Sequence, residues 1–293
     1  MRIHLLVNVH RADAVIAAKD AVAWMKQRGI EVGADPEAAV PLKVPPIGND
    51  IFGDCDLVVS FGGDGTLIRA AHLCSERGTP VLGVYYGRFG FVTQCTNEDL
   101  GACMSDFIDG HAQIAKRMML QVDLLRGGHT ITSIHALNET VLQRAVTVRM
   151  MTFEVTVNDH RLTGYPADGI IVATPTGSTA YNLSAGGPIC APEVEALVLT
   201  ALAPHTLSAR PLVLHPDSEI KLKVSTEGDA VLSADGQVRL HILSGDEIRV
   251  VRSPRVTNLV TVEKDDFLVK LSGRLFWSQS LVGDMRGDRG DVK

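Results

Sequence analysis

Short apolar runs alternate with longer amphipathic stretches over the first third of the chain. Ile3–Val9, Leu57–Phe61 and Val81–Tyr85 are nearly continuous in aliphatic residues, the pattern of strands buried on both faces. Ala14–Gln27, Thr66–Arg77 and Glu98–Asp109 repeat apolar positions at helical spacing, and Asp13 is placed to cap the first of these helices. Strand–helix alternation of this kind predicts a parallel sheet with helices on both faces.

After about residue 111 the texture changes. Met118–Leu125, Thr130–Gln143, Thr152–Val157, Glu219–Ser225, Ala230–Ser233, Val238–Ile242, Ile248–Val251 and Val256–Val262 are β-branched and aliphatic with a rough period of two. Gly127-Gly128, Asn158-Asp159 and Asp235-Gly236 separate some of them, as hairpin turns do. A mainly antiparallel β domain is expected, interrupted by one helix at Val194–Leu202 and followed by a short helix at Asp265–Leu271. The expected division is residues 1–110 as an α/β domain, joined by the helix near 265–272; residues 111–264 as a β-rich domain; and residues 273–293 as a tail with a frayed end.

Composition narrows the function classes. The 293 residues carry a formal net charge of −6, which gives no footprint for a polyanion and argues against nucleic acid as a partner. The five cysteines show no CxxC spacing, as free thiols in a reducing compartment would. The start has the pattern of neither a signal peptide nor a membrane span, so a cytoplasmic protein with no membrane partner is expected.

Two glycine-rich tracts carry the candidate chemistry. In VVSFGGDGTLIRAAHL, a strand ends at Phe61 and a helix opens near Thr66. A ligand in an open α/β sheet binds at the carboxyl ends of the strands. Gly62, Gly63 and Gly65 let it approach the main chain, and the free N–H groups of the helix start suit phosphate. Neither GxxxxGK[ST] nor GxGxxG occurs there. An aspartate among phosphates needs a divalent metal beside it or a role as a base, and both fit phosphoryl transfer. The alternative for this pentapeptide is plain turn chemistry.

The second tract, GYPADGIIVATPTGSTAYNLSAGGP, runs from Gly164 to Pro188. Its small hydroxyl residues allow a flat ring to lie against the backbone, and Tyr181 can stack on a base. A tight surface turn capped by Ser178 is the alternative. Ser178 lacks the GxSxG context of a hydrolase nucleophile, and no His, Cys and Asp cluster has zinc spacing. His205 reads as a hydrogen-bonded structural histidine, and Lys221 and Lys223 as a solvated strand face.

GGDGT at Gly62–Thr66, Asn138-Glu139, Asp168-Gly169, TPTGSTAYNLSAGGP at Thr174–Pro188 and PHTLSARPLV at Pro204–Val213 stand in the order seen in NAD kinases. The chain resembles that family from about residue 3 to residue 271. GGDGT alone is shared with phosphofructokinases and with diacylglycerol and sphingosine kinases, whereas the later motifs are far more specific. The resemblance implies an α/β N-terminal domain, a mainly β, sandwich-like C-terminal domain, and a last helix that returns to the first domain. It implies transfer of a phosphoryl group from ATP or polyphosphate to the 2'-hydroxyl of the adenosine ribose of NAD. Mg²⁺ or Mn²⁺ would arrive on the nucleotide rather than in a protein cage.

The same resemblance assigns roles. Asp64 looks like the base for the 2'-hydroxyl, with Gly62, Gly63, Gly65 and Thr66 around the phosphates. Asn138 and Glu139 look like the pair that holds adenosine; read without the family, they are a polar break in a β segment. Asp168 is similar to the acid on the nicotinamide side, and Thr179, Ala180, Tyr181, Asn182, Leu183 and Ser184 to the adenine and ribose wall. Gln237 matches a late contact, and Arg69 and Arg149 stand where a positive charge near phosphate is common. Dimers or tetramers formed through the β domain, with residues lent between subunits, are implied as well. Pro166 stands where some members have arginine, which bears on the choice between NAD and NADH. Two rival readings are a lipid kinase, which would need an apolar groove, and a non-catalytic dinucleotide sensor, which would not need Asp64.

Overall fold

A computed structural model describes residues 1–86, 95–145, 151–224, 229–261 and 267–275. The first part is the expected alternation. β1 (Arg2–Val7), β2 (Glu31–Ala34), β3 (Leu57–Gly62) and β4 (Val81–Tyr85) form a parallel sheet in the order β2-β1-β3-β4. α1 (Ala12–Gln27), α2 (Pro36–Leu42) and α4 (Leu100–Ile108) pack with Ile3, Leu5, Val59, Phe61, Leu82 and Val84 in one core. α3 (Asp64–Cys74) packs with Leu6, Val58 and Val81 in a second. Alternate residues of β1 and β3 therefore serve opposite faces, which explains why these strands read as unbroken apolar runs.

The remaining strands are β5 (Gln113–Arg126), β6 (His129–Ala136), β7 (Glu139–Arg144), β8 (Met151–Val157), β9 (His160–Ala167), β10 (Gly169–Ala173), β11 (Leu197–Leu202), β12 (Leu212–Leu214), β13 (Ile220–Val224), β14 (Ala230–Ala234), β15 (Val238–Ile242) and β16 (Glu247–Thr261). β12-β11-β10-β7-β14-β15 make a second, antiparallel sheet. Leu142, Ile170, Val172, Leu199 and Leu232 from it meet Leu120, Val122, Phe153, Val155, Leu222 and Val250 across a sandwich core.

β16 joins the two halves. One edge pairs with β5 from Glu247↔Leu125 to Thr261↔Gln113. On the other edge its first residues pair with β13, and Leu259 pairs in parallel with Val81 of β4. The parallel and antiparallel strands thus become one ten-stranded sheet. Its register shifts between Arg252 and Val256, around Pro254. Proline lacks the ladder N–H and is tolerated at a bulge. That interruption is why the sequence reads as two strands, Ile248–Val251 and Val256–Val262.

All three expected hairpin turns have positive φ at both central residues: 57° and 82° at Gly127-Gly128, 48° and 64° at Asn158-Asp159, and 48° and 66° at Asp235-Gly236. Other expectations fail. Val194–Leu202 is not a helix, because Leu197–Leu202 is strand β11, paired with β10 from Gly169↔Leu202 to Ala173↔Val198. A short run that is buried on both faces, its polar Thr200 included, carries no period that separates strand from helix. Thr130–Gln143 is two strands, β6 and β7, in different sheets, parted at Leu137-Asn138. Asp13 does not cap α1: Arg11 holds the N-cap position, and Asp13 pairs with its guanidinium from the first turn. β2, α2, β9 and β12 went unpredicted. The last helix, α6, spans Phe267–Leu275, and the tail beyond it lies outside the described residues.

Phe153 is fully buried between the sheets. Phe153→Ala is expected to lower unfolding stability by about 3–5 kcal/mol, read by urea titration. A loss below about 1 kcal/mol would show that the sandwich core is not packed as described.

Candidate functional site

The carboxyl end of β3 delivers GGDGT. Gly63 takes the N-cap position of α3 in extended geometry, and its carbonyl accepts the N–H groups of Thr66 and Leu67. Asp64 is the first helical residue, two positions earlier than the sequence pattern suggests. It is half-buried, with Oδ1 screened from solvent, beside an exposed Gly65 and a half-buried Thr66. A side chain at Gly62 would collide with Thr66. Arg69 is exposed one turn along α3, and its charge acts on the buried Asp35 at the start of α2.

The Leu137-Asn138-Glu139 break lies between β6 and β7, and its whole backbone is held by two residues. Asp235 Oδ2 accepts the Leu137 N–H at 2.7 Å, and Oδ1 accepts those of Asn138 at 2.8 Å and Glu139 at 3.0 Å. The Asp235 N–H donates to the Glu139 carbonyl. Thr174 donates its Oγ1–H to the Leu137 carbonyl at 2.6 Å and its N–H to the Asn138 carbonyl at 2.8 Å. Gly177 comes so close that a Cβ there would strike the Asn138 main chain, so only glycine fits.

With the backbone satisfied, the two side chains remain. Asn138 and Glu139 are both buried, and Asn138 Oδ1 and Glu139 Oε2 have no hydrogen-bond partner among the described residues. Buried acceptors in that state call for donors from a ligand. Burial, then the charge of Asp235, raises the Glu139 carboxyl to about 7, against the pull of the Tyr181 N–H.

The TPTGSTAY tract forms a 3-10 turn at Thr176–Thr179 and a one-turn helix, α5, at Tyr181–Ser184. Tyr181 and Ser184 are exposed, and Thr179, Ala180 and Leu183 are half-buried. Asn182 is different. It is fully buried, donates to the Ser178 and Pro188 carbonyls, and accepts from Thr200 of β11 at 2.7 Å. Its amide is committed to the framework, as is Ser178, which bonds Pro175 and both main-chain groups of Cys190.

Gln237, the last residue of the β14–β15 turn, reaches the Gly65 carbonyl at 3.5 Å. The two tracts, the Asn138-Glu139 break and this turn therefore converge. Asp168 does not join them. It precedes β10 and pairs with Arg144 at 2.9 Å, at the opposite end of the ladder in which Ala173 faces Glu139. The separation along the strand is about 17 Å. Arg149 lies outside the described residues. His205 is exposed, and only its main-chain N–H is tied, to the Pro166 carbonyl. Pro166 itself lies on the edge strand β9, where proline is tolerated. Lys221 and Lys223 pair with Asp159, Glu219 and Glu247. No helix among the described residues is long and apolar enough to cross a membrane.

Sequence reasoning missed Asp235, Thr174 and His72 as parts of this centre. Asp235 and Thr174 sat in plain view as turn residues, but only the fold shows what they hold. His72 carries no signal at all in the sequence.

Two family models match the chain. The ATP-NAD kinase N-terminal domain matches residues 47–112, and the ATP-NAD kinase C-terminal domain matches residues 137–262. The chain is 36% identical over 285 residues to an NAD kinase of Citrifermentans bemidjiense, covering 95% of this chain and 99% of that one. The chain belongs to the NAD kinase family. Yeast NADH kinase, solved in complex with NADH, shares its fold with a TM-score of 0.87 at 24% identity, over 100% of this chain and 90% of that one. An NAD kinase from Archaeoglobus fulgidus, solved with ATP, does so at 0.77 and 24%, over 94% and 99%.

The raised Glu139 carboxyl has a consequence for stability. The group ionises at its ordinary 4.5 in the unfolded chain but near 7 when folded. Below pH 4.5 both states hold the proton and nothing is lost. As pH rises through this window the unfolded state ionises first, so stability falls until the folded carboxyl has also ionised. Glu139→Gln should remove the penalty, raising stability by about 1 kcal/mol at pH 5 and about 3 kcal/mol at pH 8. Equal gains at both pH values, measured by denaturant titration, would contradict it.

Proposed function

We propose that this NAD kinase transfers the terminal phosphoryl group of ATP to the 2'-hydroxyl of the adenosine ribose of NAD, giving NADP. The observation that carries the reading is the pair of buried, unsatisfied acceptors on Asn138 and Glu139 beside the Asp64 turn. Adenosine offers the donors they lack, an exocyclic amine and ribose hydroxyls. The exposed Tyr181 ring supplies a stacking face. The surroundings of these groups are polar and hydroxyl-rich, which does not suit an acyl chain, and the relatives are NAD kinases rather than lipid kinases.

Asp64 is the base. A ribose hydroxyl is a poor acid, so its proton passes to the Asp64 carboxylate late, as the bond to phosphorus forms. Gly62, Gly63, Gly65 and Thr66 present backbone to the phosphates at the start of α3, where N–H groups and the helix dipole favour negative charge. Arg69 adds a positive charge on the same helix. Three or more His, Cys, Asp or Glu side chains placed to hold a metal are absent among the described residues. A divalent cation fits this site as a passenger on the nucleotide, where it neutralises phosphate oxygens. Asp168, too far along the ladder to reach the same nucleotide as Glu139, serves the nicotinamide side of a site on a neighbouring subunit in a dimer or tetramer. The cytoplasm, where NAD and ATP are both present, is the compartment this activity suits.

A coupled assay tests the reading: protein with Mg²⁺, NAD and ATP, and NADP read by an NADP-specific dehydrogenase. Parallel runs with NADH and polyphosphate define acceptor and donor. Asp64→Asn is expected to fold and bind NAD while losing about 10²–10⁴ in turnover. Wild-type turnover in the folded variant would remove Asp64 from the base role, and NAD binding without turnover by the unaltered protein would favour a sensor.

A further inference from the structure

The β14–β15 turn touches helix α3 at two points. Gln237 meets the Gly65 carbonyl in the first turn of the helix. His72, two turns further along, places Nε2 2.6 Å from Asp235 Oδ2. An ionised carboxylate only accepts, so the imidazole donates. The Asp235 side chain is fully buried, whereas that of His72 keeps 20% of its surface. The same Asp235 oxygens hold the three amides of the Asn138-Glu139 break. One carboxylate therefore binds the helix that starts with Asp64 and the turn that presents Asn138 and Glu139.

We propose that His72 and Asp235 are positioning residues that lock the Asp64 helix to the adenosine-binding turn, setting the distance between base and ribose hydroxyl. Neither touches the substrate. Asp235 acts through the amides of residues 137–139, and His72 acts through the rigid body of α3. The eight steps from Asp64 to His72 rise about 12 Å along continuous helix, so a shift or tilt at His72 is felt at Asp64. The two members have separable effects. Without His72, Asp235 still holds its three amides and the turn keeps its shape. What is lost is the registration of one lobe against the other, and about 1 Å of misplacement costs as much as 10²-fold in the chemical step.

The inference rests on the NAD kinase reading, and its test separates the two. His72→Ala is assayed for kcat with saturating NAD and ATP, and NAD affinity is measured independently by calorimetry. The expected result is a kcat lowered about 10- to 100-fold with NAD affinity within about threefold of wild type. His72→Gln, whose Nε2 can donate from a similar position, is expected to recover most of the rate. If His72→Ala does not fold, His72→Phe, which fills the space without a donor, is read by the same criteria. An unchanged kcat overturns the proposal. So does a loss of NAD affinity that matches the loss of rate, and so does failure of His72→Gln to recover turnover in a folded protein. Wild-type protein that makes no NADP would instead sink the NAD kinase reading itself.

Discussion

The site depends on the way the two-residue gap between β6 and β7, with the first residue of β7, is held. Through Leu137-Asn138 the chain leaves one sheet, and at Glu139 it enters the other, so the peptide groups of these three residues need partners. Buried N–H and C=O groups without partners would each cost about 1–3 kcal/mol. Asp235 and Thr174 satisfy all six. Because two residues do this work with side chain and main chain together, Asn138 and Glu139 need not turn back on their own backbone. Their amide and carboxylate are left for something that is not protein.

That arrangement explains why a buried carboxylate can stand where it does. Glu139 sits near Asp235, and like charges in a poorly solvated place repel. Three peptide N–H groups and an imidazole meet Asp235, which spreads its charge over fixed dipoles. Among the described residues, Glu139 has the Tyr181 N–H as its one hydrogen-bond donor. The asymmetry leaves Asp235 as framework and Glu139 as the group whose charge is unsettled, ready for a partner that supplies hydroxyl donors.

Much of the fold was legible because the period and the turn residues agreed. The parallel strands β1, β3 and β4, the helices α1, α3 and α4 and the three hairpins followed from residues whose local preference matched their final place, whereas β2 and α2 did not announce themselves. The failures share a cause. Leu197–Leu202 is buried on both faces except for a half-buried Ala201, and its one polar residue, Thr200, is buried too, so no exposed polar position marks its period. Thr130–Gln143 changes sheets at a point the sequence marks only by Leu137-Asn138. β16 shifts its register around Pro254, and its two pieces read as separate strands. The site was half legible: GGDGT and TPTGSTAY announce a nucleotide through bare backbone and hydroxyls. The residues that bring them together, His72 and Asp235, lie 163 positions apart and look ordinary where each stands.

Asn138 and Asn182 show how far residue type alone can go. Both are buried asparagines in tracts that resemble nucleotide-binding motifs. Asn182 has its two amide atoms engaged by Ser178, Pro188 and Thr200, so it shapes the tract and pins it to β11. Asn138 has a buried oxygen with no such partner. An amide whose hydrogen bonds are complete cannot add a ligand without breaking one of them, while an incomplete amide is stabilised by ligand binding. The distinction divides the wall of the second tract. Tyr181 and Ser184 face solvent and can meet a nucleotide, whereas Asn182 holds them there, and its contribution to binding runs through the position of its neighbours.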